Sequence, residues 1–184
     1  QFEAMGLQPI NGSYFQPVPL TITQLKGGVL TLGSEKLVFK NDFVPYPGIQ
    51  VVDIVAEAVF VGYGIQEGLW DDYAGLDVAG KTVVMLAGEP GSAEKGFVLS
   101  GNETPSKWSQ DPSVKRMIAD SLGATATVLV SPEFATLKSR LVPWLSRERM
   151  RLDVDRQGEG TDLPTLLVPE EVLLRSTGWK SMKD

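Results

Sequence analysis

The sequence of 184 residues contains no histidine and no cysteine. Histidine is the commonest general base near neutral pH and the commonest zinc ligand, so its absence excludes catalytic triads and most catalytic zinc sites. The absence of cysteine excludes a disulfide scaffold, a cysteine-ligated zinc site and a thiol nucleophile. We therefore expect no catalytic residue, no metal ligand and no cofactor in this chain.

Long apolar runs and a continuous basic face are also missing. No apolar run approaches the ~20 residues that a membrane-spanning helix needs. The net charge is −6, and the densest group of cations, between Lys138 and Arg151, is interrupted by Glu148. Binding to a phosphate backbone requires a continuous basic face, so we exclude nucleic acid as a partner and interpret this group as solvated surface.

Short β-branched runs bounded by glycine dominate the rest of the chain and predict strands. We expect a hairpin over 29–39 and a central strand within 51–65 that is buried on much of both faces. Further strands are predicted at 82–86, 124–130, 152–154 and 165–168. The composition, 42% hydrophobic and 22% charged, is typical of one globular domain with its own core.

The clearest helical pattern begins at Asp111, a suitable N-cap, and ends at Gly123. Pro112 fits the first helical position, and the apolar residues from Val114 to Leu122 recur at helical spacing, which predicts a helix with one face on a sheet. Shorter helices are predicted from Pro132 to about 137 and over 169–176. Residues 89–110 form the longest stretch without a predicted element, so we expect a mobile loop there.

This order of elements predicts a β-rich α/β domain. We expect a mixed or open barrel-like sheet with two to three flanking helices.

Two adjacent carboxylates, Asp71 and Asp72, are the first candidate for a binding site. They lie between Trp70 and Tyr73 and could contact a hard cation or a peptide amine. Calcium takes six to eight oxygen ligands, so two neighbouring carboxylates are a poor site. We interpret them as turn and capping carboxylates beside packed aromatic rings.

The segment Gly62-Tyr63-Gly64 is the second candidate. It lacks the Gly-Lys-Ser/Thr ending and the following helix of a phosphate-binding loop. The glycines therefore indicate a bend or bulge at the end of a strand. A hydrolase that uses a Ser/Lys pair or paired carboxylates stays open as an alternative, although neighbouring carboxylates such as Glu170 and Glu171 point in different directions.

The sequence resembles a known family over most of its length. Residues 59–65 (VFVGYGI), the run Trp70-Asp71-Asp72-Tyr73 and residues 76–84 (LDVAGKTVV) resemble the protease-associated domains inserted in bacterial two-zinc aminopeptidases. Residues 115–130 and 163–178 are similar to the later parts of the same module. The start of the chain is similar to the stretch that precedes the insert in those enzymes, through Phe2, Gly6-Leu7, Pro9, Asn11-Gly12, Tyr14 and Gln16. Residues 89–110 and 137–160 show no resemblance.

The resemblance implies a division of the chain and a location outside the cytoplasm. Residues 1–20 would be an arm of the parent peptidase domain, and residues 21–184 would be the protease-associated domain. The parent would be a periplasmic or secreted zinc aminopeptidase, and zinc would be bound only by its catalytic domain. The partners implied are that catalytic domain and peptide or protein substrates.

In this family the module is non-catalytic and covers the cleft, restricts substrates or binds protein partners. We therefore expect the loop 63–73 to be a contact surface, through Tyr63, Trp70, Asp71, Asp72 and Tyr73, together with the loop 89–110. The competing hypothesis is a stand-alone domain that binds peptide or sugar without a peptidase partner.

Overall fold

The computed structural model describes residues 2–15, 17–46, 53–152 and 163–181. The strands are β1 (Leu20–Thr23), β2 (Val29–Leu32), β3 (Glu35–Val38), β4 (Val44–Pro45), β5 (Ala58–Phe60), β6 (Gln66–Glu67), β7 (Trp70–Asp71), β8 (Thr82–Leu86), β9 (Gly91–Ser92), β10 (Gly96–Phe97), β11 (Ala126–Val130), β12 (Arg149–Leu152) and β13 (Thr165–Val168). The helices are a 3-10 turn (Glu3–Met5), α1 (Lys107–Gln110), α2 (Pro112–Ser121), α3 (Phe134–Leu145) and α4 (Glu170–Thr177).

The main sheet has five strands in the order β4-β13-β11-β8-β5. Strands β5, β8, β11 and β13 are parallel, and β4 runs antiparallel to β13. Strand β11 lies in the middle, and all five of its residues are buried, as expected for a parallel strand covered on both faces. The predicted β-rich α/β class is confirmed, with a mixed sheet that is not closed into a barrel.

The two faces of this sheet carry different layers. Helices α2 and α3 pack on one face, through the cluster Val83, Met85, Leu129, Leu167, Ala119, Phe134 and Leu145. The hairpin β2–β3 and helix α4 pack on the other face, through Val84, Val128, Val130, Val168, Leu32, Leu37, Val172 and Leu173. Successive residues of the strands alternate between the two clusters because strand side chains alternate in direction.

Helix α2 begins and ends close to the predicted residues. The Asp111 carboxylate accepts a hydrogen bond from the Ser113 N–H at 2.9 Å, which confirms the N-cap. Ile118 and Leu122 pack against the core, as the apolar pattern predicts, whereas Met117 is 52% exposed. The pattern missed the buried Lys115 and Arg116, because long lysine and arginine stems can be buried when their charged ends reach backbone carbonyls.

The predicted central strand over 51–65 is wrong. Within 53–65 the structure has only β5, which lies at the edge of the sheet, and Val55 before it is fully exposed. Residues 51 and 52 lie outside the described residues. Edge and central strands share β-branched composition, so composition alone did not separate them.

The segment 89–110 is also more ordered than predicted. It contains the hairpin β9–β10 and helix α1, so the predicted lack of structure is wrong, while its mobility stays a prediction. Helix α3 extends to Leu145 rather than about 137, and β12 begins at Arg149, before the predicted strand at 152–154. Residues 153 and 154 lie outside the described part. The last strand and helix are confirmed as β13 and α4.

Candidate functional site

The candidate residues of the loop 63–73 meet around the carboxylate of Asp72. Its Oδ2 accepts hydrogen bonds from the backbone N–H groups of Tyr63 (3.1 Å) and Ile65 (3.0 Å). Its Oδ1 accepts a hydrogen bond from the indole N–H of Trp70 at 3.0 Å. One side chain therefore fixes the turn that follows β5 and the position of an aromatic ring.

The neighbouring residues are also engaged within the loop. Asp71 accepts hydrogen bonds from the Tyr73 N–H (2.9 Å) and the Gln66 side chain (3.2 Å). Tyr73 is only 5% exposed and belongs to the core, and its burial raises the pKa of its hydroxyl above the ordinary range. Burial, with the nearby charge of Asp72, also raises the pKa of Tyr63. The carboxylates hold turns beside packed rings, and a role for these five residues in contacting a partner stays a prediction.

Gly64 lies in the turn after β5, at a position where a side chain would be both strained and crowded. Its φ is +68°, and a Cβ there would lie 3.1 Å from the Met85 sulfur and 3.3 Å from the Tyr73 hydroxyl. We expect Gly64→Ala to lower the free energy of unfolding by about 2–3 kcal/mol, from backbone strain and crowding together. The control is Gly68→Ala, where φ is +61° but the space is open. Urea unfolding should show the smaller loss, about 1 kcal/mol, for the control; equal losses would contradict the crowding.

A single carboxylate, Glu67, joins the loop 63–73 to the segment 89–110. Its Oε1 lies 2.7 Å from the Lys107 ammonium, and its Oε2 accepts a hydrogen bond from the indole N–H of Trp108. The hydrogen bonds from Lys107 and then Trp108 lower the pKa of Glu67. Trp108 is almost wholly buried. The two loops that the sequence predicts as contact surfaces therefore touch each other through Glu67.

Removing this carboxylate is expected to loosen the segment 89–110. In Glu67→Ala, the amides of α1 and of the hairpin β9–β10 should exchange faster with solvent, because Lys107 and Trp108 lose their partner. The effect should be mimicked at low pH, since a group with a lowered pKa contributes while ionised and loses its contribution as the pH falls. Glu94→Ala, an exposed change in the same segment, is the control. Hydrogen exchange that is unchanged in Glu67→Ala would contradict the link.

Lys115 is a buried cation next to the same loops. It is 1% exposed, and its ammonium donates hydrogen bonds to the carbonyl oxygens of Leu86 (2.9 Å) and Gly88. The ammonium also lies 5.6 Å from the centre of the Tyr63 ring. Burial lowers the pKa of Lys115 to about 8, although Asp72 and Glu89 favour its charged form.

Glu89 is a buried anion that directly follows Gly88, whose carbonyl binds the Lys115 ammonium. Its Oε1 accepts hydrogen bonds from the Ser106 N–H (2.5 Å) and the Ser109 hydroxyl (2.9 Å). A lysine with a low pKa can serve as a base or nucleophile. Here the ammonium is enclosed and bound to backbone carbonyls, so it holds the end of β8 rather than facing a substrate.

A crevice of about 290 Å³ lies at the carboxyl ends of β11 and β13. Helix α3 follows β11 and packs on one face of the sheet, whereas α4 follows β13 and packs on the other face. Open α/β sheets form a cleft between two neighbouring strands whose helices diverge in this way. The lining residues of the crevice are Asn41, Ser131, Pro132, Phe134, Ala135, Lys138, Pro169, Glu170 and Glu171. Over the described ranges, no three acidic side chains are grouped so that they could hold a metal ion.

The arm at the start of the chain is the most exposed part of the structure. All described residues between 2 and 20 are exposed. Its large exposed apolar side chains are Phe2, Met5, Leu7, Ile10, Tyr14, Phe15, Val18 and Leu20. The arm is nevertheless folded locally, because the Tyr14 hydroxyl donates a hydrogen bond to the Leu7 carbonyl at 2.8 Å. None of the helices in the described ranges combines the length and apolarity needed to cross a bilayer.

Similarity to known proteins is found among solved structures. No family model and no curated protein matches the sequence. Among solved structures, an aminopeptidase from Aneurinibacillus sp. strain AM-1 is similar, with a TM-score of 0.45 and 17% sequence identity. The match covers 88% of this chain and 30% of that chain, so this chain spans less than a third of that aminopeptidase. This degree of similarity does not establish a shared family.

Proposed function

We propose that this chain is a non-catalytic protease-associated module of a secreted zinc aminopeptidase, and that it acts as a lid or as a recognition domain for substrates or proteins. Residues 1–20 belong with the parent peptidase domain, and residues 21–184 form the module. Zinc is bound by the parent catalytic domain and not by this chain. The protein works outside the cytoplasm, as the sequence resemblance implies.

The exposed arm is the observation that carries this proposal. Between Phe2 and Leu20 eight large apolar side chains are exposed, and none of the described residues there joins either core. Large apolar side chains that are concentrated and exposed along one segment commonly mark a surface that meets another protein. An arm that packs on a neighbouring domain accounts for this exposure.

The candidate site also supports a non-catalytic role. Both carboxylate oxygens of Asp72 accept hydrogen bonds from the loop that includes Tyr63, Ile65 and Trp70, so this carboxylate holds the turn. Without histidine or cysteine, the chain lacks the usual zinc ligands and activated nucleophiles. We therefore propose surface recognition as its function.

The test compares the isolated chain with the complete gene product in assays of aminopeptidase activity and bound zinc. We expect zinc and turnover in the complete product, and neither in the isolated chain after repurification. Turnover by the isolated chain that survives repurification would overturn the proposal. So would a complete product that binds no zinc and hydrolyses no peptide.

The competing function is a stand-alone domain that binds peptide or sugar, and the crevice beside Glu170 and Lys138 favours it. Its volume of about 290 Å³ is at the lower end of the range for small-molecule sites. Titration of the isolated chain with short peptides and oligosaccharides separates the two functions. Binding of about 1–100 μM that is lost in Glu170→Gln would favour the stand-alone domain.

A further inference from the structure

The crevice at the carboxyl ends of β11 and β13 is lined by two opposite charges that do not pair with each other. Lys138 belongs to the second turn of α3, and Glu170 is the first residue of α4. Both side chains line the crevice, and both residues are half-buried. Among the residues that the structure describes, neither has an ion-pair partner within 4.0 Å or a side-chain hydrogen bond.

The arrangement of the helices explains why these charges stay apart. Because α3 and α4 pack on opposite faces of the sheet, the crevice lies between the two side chains. A charge that is partly removed from water is stabilised by an opposite charge or a hydrogen bond. A ligand that carries both an ammonium group and a carboxylate group would supply a partner for each side.

The remaining lining residues suit a ligand of this kind. Ser131 is 3% exposed, and its oxygen accepts a hydrogen bond from the Glu133 N–H at 3.2 Å. Within the described ranges the Ser131 hydroxyl has no acceptor for its own proton, so it can donate a hydrogen bond to a ligand carboxylate. Small-molecule sites combine such polar groups with apolar walls. The apolar lining residues are Pro132, Phe134, Ala135 and Pro169.

We propose that this crevice binds a free amino acid, with the ligand's ammonium group at Glu170 and its carboxylate at Lys138 and Ser131. The volume of about 290 Å³ is at the lower end of the range for small-molecule sites, which suits one amino acid better than a peptide of several residues. The further statement that this amino acid is a product of the parent enzyme rests on the proposed function.

The net charge of the crevice predicts which amino acids bind best. Glu171 also lines the crevice and is exposed, so two carboxylates face a single ammonium. Charge complementarity favours ligands with an additional positive charge. We therefore expect free lysine and arginine to bind more tightly than free aspartate and glutamate. The reverse order would contradict the assigned charges.

Calorimetric titration of the chain with each common L-amino acid tests the site. We expect saturable binding with a Kd of about 0.1–1 mM for the best ligand. The N-acetyl derivative of that ligand lacks the ammonium group, and its amide lacks the carboxylate. Each derivative should bind at least ~10-fold more weakly. Failure of every amino acid to bind at about 10 mM, or equal binding of the two derivatives, would overturn the inference.

Two variants assign each end of the ligand to one side chain. Glu170→Gln should weaken binding of the amino acid at least ~10-fold and leave the N-acetyl derivative unaffected. Lys138→Met should weaken binding of the amino acid to a similar extent and leave the amide unaffected. The matched controls are Glu94→Gln and Lys36→Met, which change exposed charges outside the crevice. Equal affinities for the variants and the controls would contradict the proposed orientation.

Nuclear magnetic resonance of the unaltered chain locates the site independently of whether the variants fold. The amide signals of Ser131 and Ala135 should shift during titration with the best amino acid, whereas those of Val59 on the edge strand β5 should not. Shifts confined to other segments would overturn the placement.

The outcomes also separate this inference from the proposed function. Short peptides or oligosaccharides that bind more tightly than every amino acid would overturn the inference and favour the stand-alone domain. A complete gene product with zinc and peptidase activity, but without amino acid binding, would refute only this site. Amino acid binding in a product without peptidase activity would refute only the identity of the ligand as an enzyme product.

Discussion

Asp72→Ala is expected to lower the free energy of unfolding by about 3 kcal/mol. The carboxylate accepts three hydrogen bonds, two of them from the backbone of Tyr63 and Ile65. Hydrogen bonds to charged groups contribute about 1.5–3 kcal/mol each, and donors left without a partner add a further cost. The expected loss is smaller than the sum of three such contributions because the loop is partly exposed, so water can replace part of the lost acceptor.

Urea unfolding measures this effect, and Asp71→Ala is the matched control. Asp71 accepts two hydrogen bonds but is exposed, so its removal should cost only about 1 kcal/mol. The indole fluorescence of Trp70 should also change in Asp72→Ala, because its N–H loses an acceptor. If the two variants had the same unfolding midpoint, the turn would not depend on Asp72.

The stability of the protein is expected to rise between about pH 8 and pH 10 because of Lys115. Its pKa is about 8 in the folded protein, against an ordinary value of 10.5. Between these values the unfolded chain keeps a proton that the folded chain has released, so a higher pH favours folding. The full shift corresponds to about 3 kcal/mol. Below pH 8 both states are protonated, so this group adds no pH dependence.

Lys115→Met isolates the contribution of the ammonium and keeps most of the buried volume. The unfolding free energy of the wild type minus that of Lys115→Met should increase as the pH rises from 8 to 10. Above about pH 10 Tyr63 and Tyr73, whose pKa values are raised, oppose the rise. Lys36→Met, at an exposed lysine, is the control and should leave the profile unchanged. A wild-type unfolding free energy that is constant or falls from pH 8 to pH 10 would contradict the lowered pKa of Lys115.

The sequence predicted the elements whose signals are local. The N-cap at Asp111, the strand at 82–86 and the helix closed by Gly178 depend on neighbouring residues, and the structure has all three. The edge position of β5 was missed because it depends on which strands pair with it, and composition does not show pairing. The burial of Lys115 and Arg116 on α2 was missed because the carbonyls that bind them come from distant segments.

The candidate site shows the same division. The turn formers and aromatic residues of the loop 63–73 are close in sequence, so a local pattern can predict that they meet around Asp72. The link from Glu67 to Trp108 spans 41 residues, and no pattern near either residue indicates it. The pairing of β1 with β12 also joins segments that are more than 120 residues apart, and no local pattern indicates it.

The central claim is that the arm is covered by a neighbouring domain in the complete protein. Methionine oxidation by peroxide measures this directly, because the chain carries exposed methionines inside and outside the arm. Met5 is 69% exposed in the arm, and Met117 on α2 is 52% exposed. Both should oxidise readily in the isolated chain, whereas Met85, 1% exposed, should not. In the complete product we predict slow oxidation of Met5 with Met117 unchanged; rapid oxidation of both would contradict the account.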